Sequence, residues 1–181
     1  MKKAPKWIGI ISIIAGVVMF IAGAGAWGVT SAQLKAENIT VPGDSDFLAG
    51  APVAGPFSAF AQAETIKKHT MKISDGKTYA ELGKLATEAK DAGDTELAAK
   101  LTETRATTMT SASLRASLFT SILAFGVAAL VMGVGVLHAL SGWAIMALAG
   151  RKTDDGVVSA EAAASSGSKD KESSTGSSTA E

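Results

Sequence analysis

Residues 8–29 read IGIISIIAGVVMFIAGAGAWGV, a run of 22 residues without a charged side chain. As a helix with a rise of 1.5 Å per residue, this run measures about 33 Å, and the hydrocarbon core of a bilayer is about 30 Å thick. Trp7 and Trp27 stand at its two ends, where indole rings commonly anchor membrane helices at the interface. The pattern predicts a transmembrane helix over residues 7–30.

A second apolar run covers residues 118–150 and also lacks a charged side chain. One helix of this length would measure about 50 Å, which is more than a bilayer core requires. We therefore predict a second transmembrane helix over about residues 118–140, with an interfacial extension to residue 150. Arg115 and Trp143 flank this span and are expected to anchor it at the headgroups.

A cleaved signal peptide is the alternative interpretation of the first run. It has a basic start, and the small residues at positions 22–24 and 24–26 are typical of a peptidase site. However, the run exceeds the usual apolar core of a signal peptide, about 7–15 residues, and it continues past both sites. These features favour a retained helix.

The lysines predict the orientation of the spans. Lys2, Lys3 and Lys6 precede the first run, whereas only Lys35 follows it closely. Because cytoplasmic flanks carry the excess of Lys and Arg, residues 1–6 should be cytoplasmic. Two spans return the chain to the same side. The sequence thus predicts a multi-pass plasma membrane protein with both termini cytoplasmic and residues 31–117 outside.

The outer segment, residues 31–117, is expected to be mostly helical after an irregular start. Prolines and glycines interrupt the stretch from Asn38 to Pro56. Several apolar side chains in this stretch or just after it are expected to hold it against a neighbouring surface: Phe47, Leu48, Val53, Phe57 and Phe60.

Three helix starts are predicted in the outer segment. Ser58 is a candidate N-cap for a helix that reaches about Ile73. Thr78 and Glu81 form a capping box for a second helix, which ends at Gly93, and Asp94 would cap a third. The fold class is therefore an all-α membrane protein, and residues 151–181, which lack aromatic residues and are rich in Ser, Ala and Gly, are predicted to be a disordered cytoplasmic tail.

Composition excludes several functions. The chain has 17 Lys plus Arg and 17 Asp plus Glu, so it lacks the basic surplus of a nucleic-acid-binding protein. It has no cysteine, which excludes disulfides, thiolate zinc sites and cysteine lipidation. We predict no cofactor and no metal. The expected partners are the lipid bilayer and either another copy of the chain or another membrane protein.

Glycines recur every seven residues in both apolar runs. Small residues let membrane helices approach closely, so a packing face is predicted, although glycine is also simply frequent in membrane helices. Whether this face pairs the two spans or two subunits is left open by the sequence. The predicted packing residues are Gly9, Gly16, Gly23, Gly126 and Gly133, and Gly135 and Gly142 repeat the same spacing.

Six short stretches carry a resemblance to a known family. Across about residues 7–145 the chain resembles small actinobacterial two-span membrane proteins commonly labelled "aromatic ring-opening dioxygenase". The label implies an accessory small subunit of such an enzyme, and residues 85–104 look like an insertion relative to the family. The stretches are 33–40 (QLKAENIT), 47–50 (FLAG), 55–62 (GPFSAFAQ), 77–82 (KTYAEL), 113–121 (SLRASLFTS) and 125–133 (FGVAALVMG).

The two histidines argue against autonomous catalysis. A non-haem Fe(II) oxygenase typically uses two histidines and a carboxylate, and this chain has only His69 and His138. By the predicted topology His69 lies outside on a solvated helix face, whereas His138 lies near the inner interface beside Trp143. The leading hypothesis is therefore a non-enzymatic membrane protein with an interaction or structural role, and the dioxygenase accessory subunit is the alternative. A channel is not favoured, because neither span has a polar stripe.

Overall fold

The computed structural model describes the backbone of residues 4–173 and the side chains of residues 6–148. Over these residues the chain is helical without a β-strand, which confirms the all-α class. The helices are α1 (Ala4–Ala36), α2 (Pro56–Ile73), α3 (Tyr79–Asp91) and α4 (Thr95–Ser173). Two of them, α1 and α4, contain segments that are long and apolar enough to cross a membrane.

The apolar segments of α1 and α4 expose most of their side chains. In the most apolar window of each helix only 17% of the residues are buried. Large aliphatic side chains such as Ile11, Ile21, Leu123 and Leu130 are each more than 60% exposed. The core helix of a soluble protein buries such residues, so this exposure is typical of helices that face lipid.

The chain divides into two compact units. The first consists of residues 1–20 and 133–181, and the second of residues 21–132. Because α1 and α4 each contribute to both, the predicted boundary between residues 117 and 118 coincides with no break in the helix. The boundary therefore remains a prediction of where α4 enters the membrane, and no change in the backbone marks it.

The core of the second unit joins α1, α2 and α4. Trp27 packs edge-on against Phe125, with ring centroids 4.7 Å apart. The small side chains of the α2 alanines allow the helices to pack closely at the centre of this core. Its buried members are Leu34, Val41, Val53, Ala59, Ala61, Ala63, Leu118 and Phe125.

Residues 37–55 form the irregular stretch that the sequence predicts. The Val41 N–H donates to the Ala51 carbonyl, and the Val53 N–H donates to the Ile39 carbonyl, both at 2.9 Å. The side chains of Val41 and Val53 belong to the core and are each 1% exposed. The backbone thus closes the stretch into a narrow loop whose two valines enter the core.

The apolar residues predicted to hold this loop divide into two groups. Val53 is buried, and the ring of Phe47 lies 6.0 Å from that of Phe60. Phe57 is 75% exposed, and Leu48, at 44%, is about as exposed as Phe47 and Phe60, at 40% and 43%, so of the five only Val53 is buried. Leu48 lies at the turn of the loop with a positive φ of 53°.

The N-cap predicted for α2 was wrong. The helix begins at Pro56 with Gly55 as N-cap, because the fixed φ of proline favours the first helical position. Ser58 instead occupies the third position. Its hydroxyl oxygen accepts hydrogen bonds from the Ala54 and Gly55 N–H groups at 3.0 and 3.2 Å.

The signals for the next two helices are confirmed. The Glu81 N–H donates to the Thr78 hydroxyl, and the Thr78 N–H donates to the Glu81 carboxylate at 2.8 Å. Gly93 follows α3 with a φ of 81°, and the Asp94 carboxylate accepts from the Leu97 N–H at 2.9 Å at the start of α4.

α4 continues to Ser173 without interruption. The disordered tail over residues 151–181 therefore remains a prediction, and residues 174–181 lie outside those that the structure describes.

Candidate functional site

Two glycine pairs bring α1 and α4 together in the first unit. A Cβ atom added to Gly135 would lie 2.6 Å from the Gly16 carbonyl oxygen, and one added to Gly16 would overlap the Gly135 carbonyl oxygen. Gly9 and Gly142 repeat this reciprocal contact, at 2.8 and 2.5 Å. No other residue type fits these four positions without moving the helices apart.

Each glycine of a pair therefore directs a Cα–H group toward the carbonyl oxygen of the other. Such Cα–H···O contacts are weak individually but recur where helices approach closely. In lipid, where apolar burial provides little drive for helix association, close backbone contact is a main source of stability. Gly9 and Gly16 are seven residues apart in α1, and their partners Gly142 and Gly135 are seven residues apart in the reverse order in α4, as two antiparallel helices require.

A hydrogen bond lies between the two glycine pairs. The Ser12 hydroxyl donates to the His138 carbonyl oxygen at 2.9 Å. Ser12 is the only residue with a polar side chain in the run 8–29, so its isolation was the signal that sequence reasoning missed. Interhelical hydrogen bonds from serine are a known means of fixing register between membrane helices.

In the second unit Gly23 makes a similar contact. A Cβ atom added to it would lie 2.8 Å from the Ala128 carbonyl oxygen and 2.7 Å from the Cγ atom of Met132. The structure thus places Gly23 of α1, like Gly9 and Gly16, against α4.

The other two predicted packing residues lie elsewhere. No atom of the described chain outside their own helix lies within 4 Å of a Cβ added to Gly126 or Gly133. The glycines of α4 that contact α1 are Gly135 and Gly142, because the helical repeat turns the 126/133 pair to a different face from the 135/142 pair. Gly126 and Gly133 therefore make no such contact with α1, and their role in packing stays a prediction.

Two predicted interface anchors are exposed. Trp7 is 62% exposed and Trp143 is 67% exposed, both in the first unit. His138, five residues before Trp143 in the sequence, forms a hydrogen bond through Nδ1 to the Val134 carbonyl of its own helix at 3.0 Å. Nothing in these contacts gives His138 a role beyond that of a surface side chain of α4.

Two other predicted anchors make contacts inside the second unit. Trp27 packs on Phe125 in the core. The Arg115 Nε–H donates to the Ala63 carbonyl at 3.2 Å, and its guanidinium lies 3.6 Å from the Glu64 carboxylate. Arg115 therefore joins α4 to α2, a contact that a count of flanking cations does not reveal.

His69 is not simply a solvated side chain. Its Nε2 lies 2.7 Å from the Asp44 carboxylate, and the neighbouring Lys68 contacts Asp46 at 3.0 Å. The hydrogen bond from His69 lowers the pKa of Asp44, and the charges of His69 and Lys68 act in the same direction. These exposed pairs join α2 to the loop that precedes it.

α3 lies against α4 through a stacked arginine. The Arg105 guanidinium lies 4.0 Å from the centroid of the Tyr79 ring, a cation–π contact. A Cβ added to Gly83 would lie 3.0 Å from the Arg105 Nε, so glycine leaves room for this side chain. Sequence reasoning missed this contact, for which the only signal was a glycine inside an otherwise regular helix.

Among the residues that the structure describes, no group of three or more His, Asp or Glu side chains is placed to hold a metal ion. Comparison of the chain with protein-family models, with curated proteins and with solved structures found no match in any of the three.

Proposed function

We propose that the protein is an integral plasma membrane protein with two spans and both termini in the cytoplasm, and that its outer helical segment acts by interaction without catalysis of its own. The observation that carries this proposal is the reciprocal contact of Gly16 and Gly135. It pairs two helices whose remaining apolar surface is exposed, as lipid-facing helices require.

The N-terminal helix is better explained as an anchor than as a signal peptide. Cleavage near residues 24–26 would remove Gly9, Ser12 and Gly16, and with them the contacts to α4 in the first unit. The face of α4 that carries Gly135 and Gly142 would then lose its partner in the bilayer.

The outer segment exposes apolar side chains that suit contact with another protein. Ile73 is 60% exposed at the end of α2, and Met109 is 56% exposed on α4. The neighbouring helix α3 presents charged residues such as Lys84, whose side chain is 80% exposed. Exposed apolar side chains are enriched at the centres of protein interfaces and charged ones are depleted there, so Ile73 is a better candidate contact than Lys84.

The absence of cysteine from the sequence allows a direct test of topology. Single cysteines are introduced as Lys84→Cys and Thr175→Cys. A membrane-impermeant maleimide should label the first variant in intact cells and the second only after lysis. The reverse pattern would overturn the orientation, and release of the protein from membranes by alkaline carbonate would overturn the membrane assignment.

Interaction and catalysis are tested separately. A photo-crosslinking amino acid at position 73 should give a discrete adduct, whereas the same group at position 84 should give none. Equal adducts at both positions, or none at either, would contradict an interaction surface on α2. Purified protein supplied with Fe(II) should not cleave catechol, and cleavage that disappears on His69→Ala would contradict the non-enzymatic role.

A further inference from the structure

A groove of about 650 Å³ lies between α1, α2 and α4 in the second unit. Its volume is within the range of small-molecule sites, about 300–1,000 Å³. It follows the chain from Val29 of α1 to Glu37, just beyond the end of that helix, and follows α4 from Ala124 back to Leu114, a length of about 15 Å at 1.5 Å per residue. One end thus adjoins the apolar spans, and the other adjoins the outer segment.

The wall of the groove is mainly apolar. Leu34 and Leu118 border it with 8% and 6% exposure, and Ile66 of α2 lies beside them. Val29, at the end nearest the spans, is 63% exposed. The apolar wall is therefore continuous with the exposed apolar surface of α1, so an alkyl chain from the bilayer has a path into the groove.

The polar groups of the groove favour a ligand that donates hydrogen bonds and carries positive charge. Glu37 is the only charged residue among those lining it, and it forms no ion pair with the described part of the chain. A carboxylate without a partner cation is a strong acceptor for a charged N–H donor.

We propose that this groove binds a membrane phospholipid whose headgroup carries a primary ammonium. An acyl chain lies along Leu34 and Leu118, and the ammonium pairs with Glu37. The proposal rests on the membrane location in the proposed function and adds a ligand to it. An anionic lipid is disfavoured, because the groove has a carboxylate and no cation at its lining.

The test compares two lipids that differ only in headgroup. Full-length protein is purified in mild detergent, stripped of lipid, and mixed with dioleoyl phosphatidylethanolamine or dioleoyl phosphatidylglycerol. Native mass spectrometry measures the bound lipid, and the shift in melting temperature measures stabilisation. The ethanolamine lipid should bind at least about fivefold better, which corresponds to a preference of about 1 kcal/mol.

The variants separate the groove from nonspecific lipid binding. Glu37→Gln, at an exposed side chain, should remove the headgroup preference while the lipid-free protein melts as before. Glu103→Gln, on the part of α4 outside the groove, is the matched control and should keep the preference. Ser121→Leu, which fills the groove, should lower binding of both lipids.

Three results would overturn the proposal: equal binding of the two lipids, a headgroup preference that survives Glu37→Gln, or a co-purified polypeptide that Ser121→Leu displaces. A failure of the proposed function is distinguishable, because it would appear as release of the protein by alkaline carbonate before any lipid is added.

Discussion

The Gly16 and Gly135 backbones contact each other so closely that neither position has room for a methyl group. Each residue directs its Cα–H toward the carbonyl of the other, and the Ser12 hydroxyl bonds to the His138 carbonyl one turn away. The sequence left open whether its glycine face joins two spans or two subunits. At Gly9 and Gly16 the partner is the other helix of the same chain.

Gly16→Ala should destabilise the protein, although alanine is a better helix former than glycine. The added methyl group overlaps the Gly135 carbonyl and lies 2.7 Å from the Ala139 nitrogen, so the helices must separate. Overpacking of this kind costs about 1–3 kcal/mol. The measurement is the melting temperature of the purified protein in detergent.

The matched control is Gly25→Ala in the same helix, where nothing lies within 4 Å of the added methyl. It should leave stability unchanged or raise it by up to about 1 kcal/mol, because helix propensity improves. A similar effect of the two substitutions would mean that the contact at Gly16 does not stabilise the protein.

Ser12→Ala should also lower stability, by about 0.6 kcal/mol and at most about 1.7 kcal/mol, the range measured for interhelical hydrogen bonds in membranes. Ser121→Ala is the control, because the Ser121 hydroxyl donates to the Ser117 carbonyl of its own helix. Chemical denaturation in detergent measures both. Equal losses would indicate that the bond from Ser12 to α4 contributes nothing of its own.

The helices were largely predictable because their signals are local. The capping box of Thr78 and Glu81 needs only residues three apart, and the apolar runs need only length and composition. The start of α2 was misplaced because a proline and a serine both mark helix starts, and the proline prevailed. Whether the serine is the N-cap or a residue of the first turn depends on which backbone N–H groups its hydroxyl reaches, and a sequence does not show this.

The contacts between helices were less predictable because register is not a local property. The seven-residue spacing indicates a face of α1, but α4 carries two glycine pairs with that spacing, and only Gly135 and Gly142 meet α1. Arg115 illustrates the same limit. Its place beside an apolar run suggests a headgroup anchor, whereas its hydrogen bond runs to the Ala63 carbonyl of α2.

The capping box of α3 should make stability depend on pH in acid. The Thr78 backbone N–H lowers the pKa of Glu81 below its ordinary 4.5. A depressed folded-state pKa contributes stability above the unfolded value, and this contribution disappears as the pH falls through the folded value. As the pH falls below about 5, the Glu81→Gln variant should therefore lose less stability than the wild type.

Thr78→Ala should remove the cap and cost about 1 kcal/mol at neutral pH. Thr87→Ala, on the same helix and bonded only to the Gly83 carbonyl, is the control and should cost less. Thermal unfolding at pH 7 and at acid pH compares the variants. An unchanged acid dependence in Glu81→Gln would contradict the assignment of that carboxylate.

The pair of His69 and Asp44 should be detectable as a shifted carboxyl titration. The His69 hydrogen bond is the largest cause that lowers the pKa of Asp44 below 3.8, so His69→Ala should raise that pKa toward its ordinary value. Lys67→Ala is the control, because Lys67 pairs with Glu64 and not with Asp44. The side-chain carbonyl carbon of Asp44, followed by NMR during an acid titration, reports the pKa directly. If His69→Ala leaves the Asp44 midpoint where the wild type has it, the contact at 2.7 Å does not persist in solution, and α2 is not joined to its preceding loop through this pair.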